Sequence, residues 1–169
     1  MLSAVLPFGM SHSRRVEVFL RGTVPFDART RQLVVLGRVR ALHERGLIDD
    51  VRVDTWANRV TDGPADAVLA LTALEGFEHW ATAHHASLAP GFETHEGHCG
   101  FTDQHYHTTT FPVVCLAIYE DDRLVSVFPH STASGCQSVA DGLAMLEIEG
   151  DTEPPTADPS TVDRDHPSA

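Results

Sequence analysis

The strongest strand signal in the chain is Phe111-Pro-Val-Val-Cys-Leu-Ala-Ile-Tyr119. It is rich in β-branched and aromatic residues, and the strand pattern begins at Thr108. Turn residues follow in Glu120-Asp-Asp122, and the pattern resumes in Arg123-Leu-Val-Ser-Val-Phe128. The sequence therefore predicts one continuous strand over residues 108–119 and a β-hairpin that ends at residue 128.

Two helix signals precede this hairpin and one follows it. In the first, apolar residues recur at helical spacing, Asp27 is placed to cap the amino end, and Gly46 ends the pattern. Strand-like runs stand before and after this helix. In chain order we predict a strand 16–21, a helix 28–45, a strand 51–56, a helix 65–85, a short strand or ordered loop 91–98, the hairpin, and a helix 138–146.

The chain has 169 residues, of which 42% are apolar, and this is enough for one domain with a sizeable core. We expect residues 1–14 to be a flexible segment and residues 15–149 to form a single α/β domain. Residues 150–169 contain four prolines and five acids, and this composition predicts disorder because it buries too little surface to offset its ordering entropy. The predicted helical core residues are Val35, Leu36, Val39, Leu42, Ala70, Leu74, Phe77, Trp80 and Ala81.

The predicted order β-α-β-α-(β)-β-β-α, in which Pro112 precedes the final hairpin, resembles the thioredoxin fold. The segment Val16–Asp27 is similar to the first strand and active-site turn of glutaredoxins, with Pro25 at the position of the motif's proline. The resemblance implies that the bond before Pro112 is cis and that this proline abuts the turn. A ferredoxin-like α+β sandwich is the alternative fold.

The turn differs from the glutaredoxin motif at both of its cysteines. Val24 and Asp27 stand at those positions, so disulfide exchange cannot run there. The resemblance then implies a redox-inactive scaffold that docks partners through Val24, Pro25, Phe26, Asp27 and Pro112. We predict no catalytic residue, because no phosphate-binding glycine loop or G-x-S-x-G turn occurs in the sequence.

The charge of the chain is unusual in kind and in distribution. All twelve basic residues are arginine, and they stand against twenty-four acids for a net charge of −12, which is typical of proteins from a salt-saturated cytoplasm. Residues 1–60 carry ten arginines against six acids, a net +4, whereas residues 61–169 carry two against eighteen, a net −16. We expect the two parts to pack together within the chain or in a homodimer, or the basic part to bind nucleic acid or an acidic protein.

The chain as a whole also resembles a group of small, acidic haloarchaeal proteins of unknown function that often carry a helix-turn-helix label. The matching features are Val16–Arg21, the pair Arg31 and Gln32, residues 45–53, residues 91–94 and Val139–Leu146. This resemblance implies DNA binding, although each predicted helix is followed by an apparent strand. Arg31, Arg38 and Arg45, seven residues apart, would form the basic stripe that contacts phosphates.

A cluster of histidines and one cysteine predicts a second kind of site. Four imidazoles and a thiol lie within thirteen residues, and these are ligands that zinc accepts. The spacing matches no established zinc signature, so a solvated polar loop is the alternative. The candidate ligands are His95, His98, Cys99, His105 and His107.

Together these patterns favour a non-catalytic binding or regulatory module over an enzyme. Its expected partner is a protein or a second copy of the chain, and it needs no cofactor. The alternatives are a DNA-associated regulator and a zinc protein. No apolar run approaches the roughly 20 residues that span a bilayer, and no signal peptide is evident, so we expect a cytoplasmic location and no membrane partner.

Overall fold

The computed structural model describes residues 12–61 and 68–151. These residues form three helices and nine strands, which confirms the predicted α/β fold class. The helices are α1 (Phe26–Glu44), α2 (Val68–Ala83) and α3 (Val139–Asp151). The strands are β1 (Arg14–Arg21), β2 (Asp50–Trp56), β3 (Arg59–Thr61), β4 (Glu93–Cys99), β5 (Gln104–Thr110), β6 (Val114–Glu120), β7 (Arg123–Phe128), β8 (His130–Thr132) and β9 (Gly135–Gln137).

The main sheet has four strands in the order β2-β1-β6-β7. The central strand β1 pairs with β2 in parallel, through the crossover that contains α1, and with β6 in the antiparallel direction. The predicted hairpin is confirmed by the antiparallel pair β6 and β7. Direct pairing of β1 with β2 differs from the ferredoxin-like alternative, in which another strand separates the two strands of a βαβ unit.

Alternation along β1 directs its side chains into two separate cores. Val16, Val18 and Leu20 pack with apolar residues of α1 and α3 on one face of the sheet. Phe19 points to the other face and packs with α2 through residues such as Phe77. Because successive residues of a strand point to opposite faces, one eight-residue strand anchors all three helices.

The prediction of one continuous strand over residues 108–119 is wrong. The chain leaves β5 at Thr110 and enters β6 at Val114, and these two strands belong to different sheets. Pro112 lies in the break, and a proline has no N–H to donate to a strand ladder. The strand pattern in the sequence runs through Pro112, but the hydrogen-bond ladder of a sheet is interrupted there.

A second sheet and a small ladder were not predicted as such. Strands β3, β5 and β4 form a three-stranded antiparallel sheet in that order, and β8 pairs with β9. The ambiguous stretch 91–98 is therefore a strand, since it contains most of β4. Strands β3, β8 and β9 have three residues each, and an alternating pattern cannot be recognised over so short a length.

The carboxyl end of α1 matches the prediction, and the amino end does not. Gly46 adopts a positive φ of 76°, and its N–H and that of Leu47 bond to carbonyls of the last turn, as in a glycine-terminated helix. Asp27 is not the N-cap, because the helix begins at Phe26. Pro25 occupies the capping position, without a side-chain hydrogen bond. Asp27 instead lies in the first turn and pairs with Arg31 at 3.7 Å.

Helix α2 presents its predicted face to the core, and α3 extends beyond its predicted end. Leu74, Phe77, Trp80 and Ala81 of α2 are buried, whereas the predicted start of this helix at residue 65 lies outside the described residues. Helix α3 continues to Asp151, so the first two residues of the predicted disordered tail are helical, and residues 152–169 lie outside the described part. None of the three helices in the described ranges is long and apolar enough to cross a membrane.

A capping box starts α3 and provides a test of the fold. The Ser138 N–H donates to Asp141 Oδ2 at 2.7 Å, the Ser138 hydroxyl donates to the same oxygen at 2.8 Å, and the Asp141 N–H donates to Ser138 Oγ at 3.2 Å. The backbone bond from Ser138, followed by the hydroxyl bond, lowers the pKa of Asp141 below its usual 3.8. The aspartate is therefore stabilising while it is ionised.

We expect Ser138→Ala to reduce the free energy of unfolding by about 1 kcal/mol. Asp141→Asn should lower the melting temperature at pH 7. Because the folded pKa of Asp141 is depressed, its contribution is complete above the unfolded pKa and is lost as the pH falls through the folded pKa. Thermal unfolding followed by circular dichroism should show the difference between wild type and Asp141→Asn shrinking below about pH 4. A difference that does not depend on pH would contradict this assignment.

Candidate functional site

The predicted docking loop lies between the end of β1 and the first turn of α1. Val24 is half-buried, whereas Pro25, Phe26 and Asp27 are exposed. Phe26 is the first residue of the helix, and 87% of its surface is open to solvent. An aromatic side chain this exposed at a helix start is more typical of a contact surface than of a folded core.

One buried side chain holds the start of α1 against the main sheet. Gln32 is fully buried, and its amide nitrogen donates to the carbonyl oxygens of Arg21 and Val113 at 3.0 Å each. The N–H of Arg21 also donates to the carbonyl of Val113 at 3.0 Å. These bonds join the end of β1, the second turn of α1 and the chain entering β6. The polar Gln32 is therefore a positioning residue for the whole region.

Pro112 lies beside the end of β2. Its carbonyl accepts a hydrogen bond from Trp56 Nε1 at 3.3 Å, and the preceding carbonyl, that of Phe111, accepts one from the Arg21 guanidinium. The cis peptide bonds among the described residues precede Pro90 and Pro129, so the expectation of a cis bond before Pro112 is wrong. Its place in a docking surface with residues 24–27 stays a prediction.

The sequence reasoning missed an apolar face on the outer side of α1. Leu33 is 61% exposed and Val34 is 56% exposed. Phe26, Leu33 and Gly37 are spaced seven and four residues apart, so they lie close to one line along the helix, opposite to the buried Val39. The pattern was visible in the sequence, but α1 is apolar on both sides, and only packing distinguishes the buried side from the open one.

The three arginines predicted to form a stripe on α1 differ in exposure and in their contacts. Arg31 is 71% exposed, and Arg45 is exposed at the carboxyl end of the helix. Arg38 is half-buried, and its Nε and Nη2 each donate to the Glu147 carboxylate of α3 at 3.0 Å. A bidentate pair of this kind fixes the guanidinium in place. Arg38 is therefore held by α3, and the phosphate contact of Arg31, Arg38 and Arg45 stays a prediction.

The five predicted metal ligands lie on the β4–β5 hairpin and do not converge. His98 is directly opposite His105, and alternation places both on one face with His107, whereas His95 and Cys99 belong to the other face. His98 and His105 have ring centroids 4.9 Å apart, but His98 Nε2 bonds to Asp103 at 2.9 Å. Within the described ranges no group of three histidine, cysteine or acidic side chains is arranged to hold a metal ion, so the zinc prediction is wrong.

The three cysteines also differ in chemistry. Cys115 is fully buried in the core beneath α2, and burial raises the pKa of its thiol well above the usual value. Cys99 near the hairpin tip has a lowered pKa because the Thr102 side chain, and then the backbone of Phe101 and Thr102, bond to its sulfur. All three cysteines are free. A single activated thiol without a neighbouring base does not make a catalytic site.

The fold and these surfaces define a small α/β protein in which helix α1 presents exposed apolar residues and exposed arginines together. Residues 9–151 match the family described as a helix-turn-helix domain, and the chain belongs to this family. No curated protein and no solved structure matches the chain. In the described residues a strand lies between each helix and the next. Two helices joined by a short turn, which the family's name describes, are therefore not found in these residues.

The role of Gln32 can be tested by an apolar replacement of similar size. Gln32→Leu removes the donor to the Arg21 carbonyl, while Val113 keeps its bond from the Arg21 N–H. We expect the free energy of unfolding to fall by about 1–3 kcal/mol in chemical denaturation. The neighbouring exposed variant Leu33→Ala is the control, with an expected change within about 0.5 kcal/mol. Equal stability of Gln32→Leu and wild type would contradict the role of this side chain.

Proposed function

We propose that the protein is a non-catalytic regulatory module of the cytoplasm that docks a protein partner on the outer face of α1. The observation that carries the proposal is the apolar surface of Phe26, Leu33 and Val34, which no residue of the described ranges covers. Burying one such side chain fully is worth about 1.5–3 kcal/mol. Three of them on one rigid helix supply enough free energy for a specific contact.

The architecture supports the same proposal. The strand order β2-β1-β6-β7, with α1 and α3 on one face and α2 on the other, is similar to a thioredoxin-like core. In that topology the turn before the first helix is where partners dock. Val24 and Asp27 replace the two cysteines of that turn, so the proposed module binds without exchanging disulfides.

The docking face is tested by photo-crosslinking in native cells or extract from position 33. We expect Leu33 replaced by a photoreactive residue to crosslink to one discrete protein, either another chain or a second copy of this one. The matched control is position 53, because Val53 is also an exposed apolar residue but lies on the edge strand β2. The same crosslinked species from both positions, or none from position 33, would contradict the proposal.

A substitution completes this test. Phe26→Ser, made in the chain that carries the photoreactive residue at position 33, should reduce the crosslinked species at least five-fold. It should change the free energy of unfolding by no more than about 0.5 kcal/mol, because the Phe26 side chain is exposed. Crosslinking at the wild-type level would show that Phe26 is not part of the docking face.

A second candidate function is a DNA-associated regulator, and membership of the helix-turn-helix family favours it. Helix α1 carries four arginines against two acids, and Arg45 follows at its C-cap. The residues are Arg29, Arg31, Arg38 and Arg40 against Asp27 and Glu44. In this candidate α1 itself meets the phosphates, since no second helix follows it across a short turn in the described residues.

Duplex DNA binding measured across a range of potassium chloride concentrations tests this candidate. Arg31→Gln and Arg40→Gln should each weaken binding and reduce the slope of log K against log salt by about 1. Arg123→Gln on β7 is the control, because Arg123 is exposed but lies away from α1. No binding at low salt, or an equal effect of the control, would remove the candidate and leave the protein-docking proposal standing.

A further inference from the structure

We propose that a cavity on the opposite side of the main sheet from α1 binds a small apolar molecule that carries a protonated amine. The cavity has a volume of about 760 Å³ and lies between the amino-terminal half of α2 and strands β1, β2 and β6. Cavities that hold small ligands usually measure about 300–1,000 Å³. This site is independent of the docking face of α1.

Short side chains on α2 keep the cavity open. The helix lines it with Ala70, Ala73 and Gly76, whereas Phe77 and Trp80 fill the core farther along. A Cβ atom added to Gly76 would meet no other atom within 4 Å. A longer side chain therefore has room at this position on the border of the cavity, where glycine costs helix stability of about 1 kcal/mol relative to alanine.

Two stacked aromatic rings form the apolar floor. The rings of Phe19 and Trp56 lie 4.8 Å apart, at an angle of 18° to each other. Trp56 is fixed further by the bond from its Nε1 to the Pro112 carbonyl and by its contact with the Phe111 ring, 4.6 Å away. A flat, immobile floor of this kind favours an apolar or aromatic ligand body, because little conformational entropy is lost on binding.

Oxygen atoms line the other end of the cavity. The Glu17 side chain is only 15% exposed, and its Oε1 accepts from Arg15 at 3.2 Å and faces Arg52 at 3.8 Å. Asp54 and the Tyr119 hydroxyl also border the cavity, and neither forms a hydrogen bond or ion pair with any described residue. Burial, and then the charge of Glu17, raises the pKa of Tyr119, so its hydroxyl stays protonated at neutral pH.

The balance of charge at this end determines the sign of the ligand. The charged side chains that line the cavity are Glu17, Asp54 and Arg59, which gives 1 − 2 = −1. Glu17 is already paired with Arg15 and Arg52, so Asp54 is the lining carboxylate that forms no ion pair with a described residue. A cationic group that donates hydrogen bonds to Asp54 and Tyr119 complements this end, and an anion does not.

Three probes of the same size test the proposal: phenethylamine, 2-phenylethanol and phenylacetate, which are cationic, neutral and anionic. Each is titrated into the full chain while the indole N–H resonance of Trp56 is followed by NMR. We expect each probe that binds to change the chemical shift of the Trp56 indole N–H. Phenethylamine should bind at least ten-fold more tightly than phenylacetate. No binding of phenethylamine at millimolar concentration, or equal or tighter binding of phenylacetate, would overturn the proposal.

Substitutions then separate the apolar floor from the charged end. Gly76→Leu fills the cavity and should weaken phenethylamine at least ten-fold, whereas Gly37→Leu, the same change on the open face of α1, should leave binding unchanged. Asp54→Asn should weaken phenethylamine about five-fold or more and leave 2-phenylethanol unaffected. If Gly76→Leu does not fold, Ala73→Leu replaces it. Wild-type affinity in a folded cavity-filling variant would place the ligand elsewhere and overturn the proposal.

Discussion

The main sheet and the three helices of the described residues depend on the burial of β1 on both of its faces. The strand lies between β2 and β6, so its backbone is hydrogen-bonded on both edges and its side chains meet α1 and α3 on one face and α2 on the other. Arg21 at its end continues the arrangement by bonding to the chain on either side of Pro112. The three helices are therefore positioned by a single strand, and the two faces of the sheet are free to serve different purposes.

The two faces differ in how completely their helices cover them. Gln32 and the Arg38–Glu147 pair lock α1 to the sheet and to α3, so its outer apolar residues are presented on a rigid support. On the other face α2 packs into the core through Leu74, Phe77, Trp80 and Ala81, and a cleft lies beside its amino half. The main sheet therefore has an exposed apolar helix face on one side and an open cleft on the other.

The family name refers to a helix-turn-helix, whereas the described residues fold around a β-sheet. Membership of the helix-turn-helix family rests on the sequence of residues 9–151. The described residues, however, place a strand between successive helices, and sheet β2-β1-β6-β7 organises the core. Any contact with DNA would therefore use a single basic helix on a sheet-based scaffold.

The sequence by itself determined the α/β class, the three helices, the β6–β7 hairpin and the buried side of α2, because these follow from local periodicity and turn chemistry. Tertiary structure alone decided which of two apolar sides of α1 is buried, where the strand pattern breaks around Pro112, and which face each histidine of the β4–β5 hairpin takes. It also decided that α2 leaves a cavity above Phe19. These outcomes depend on contacts between residues far apart in the chain, and no local pattern encodes them.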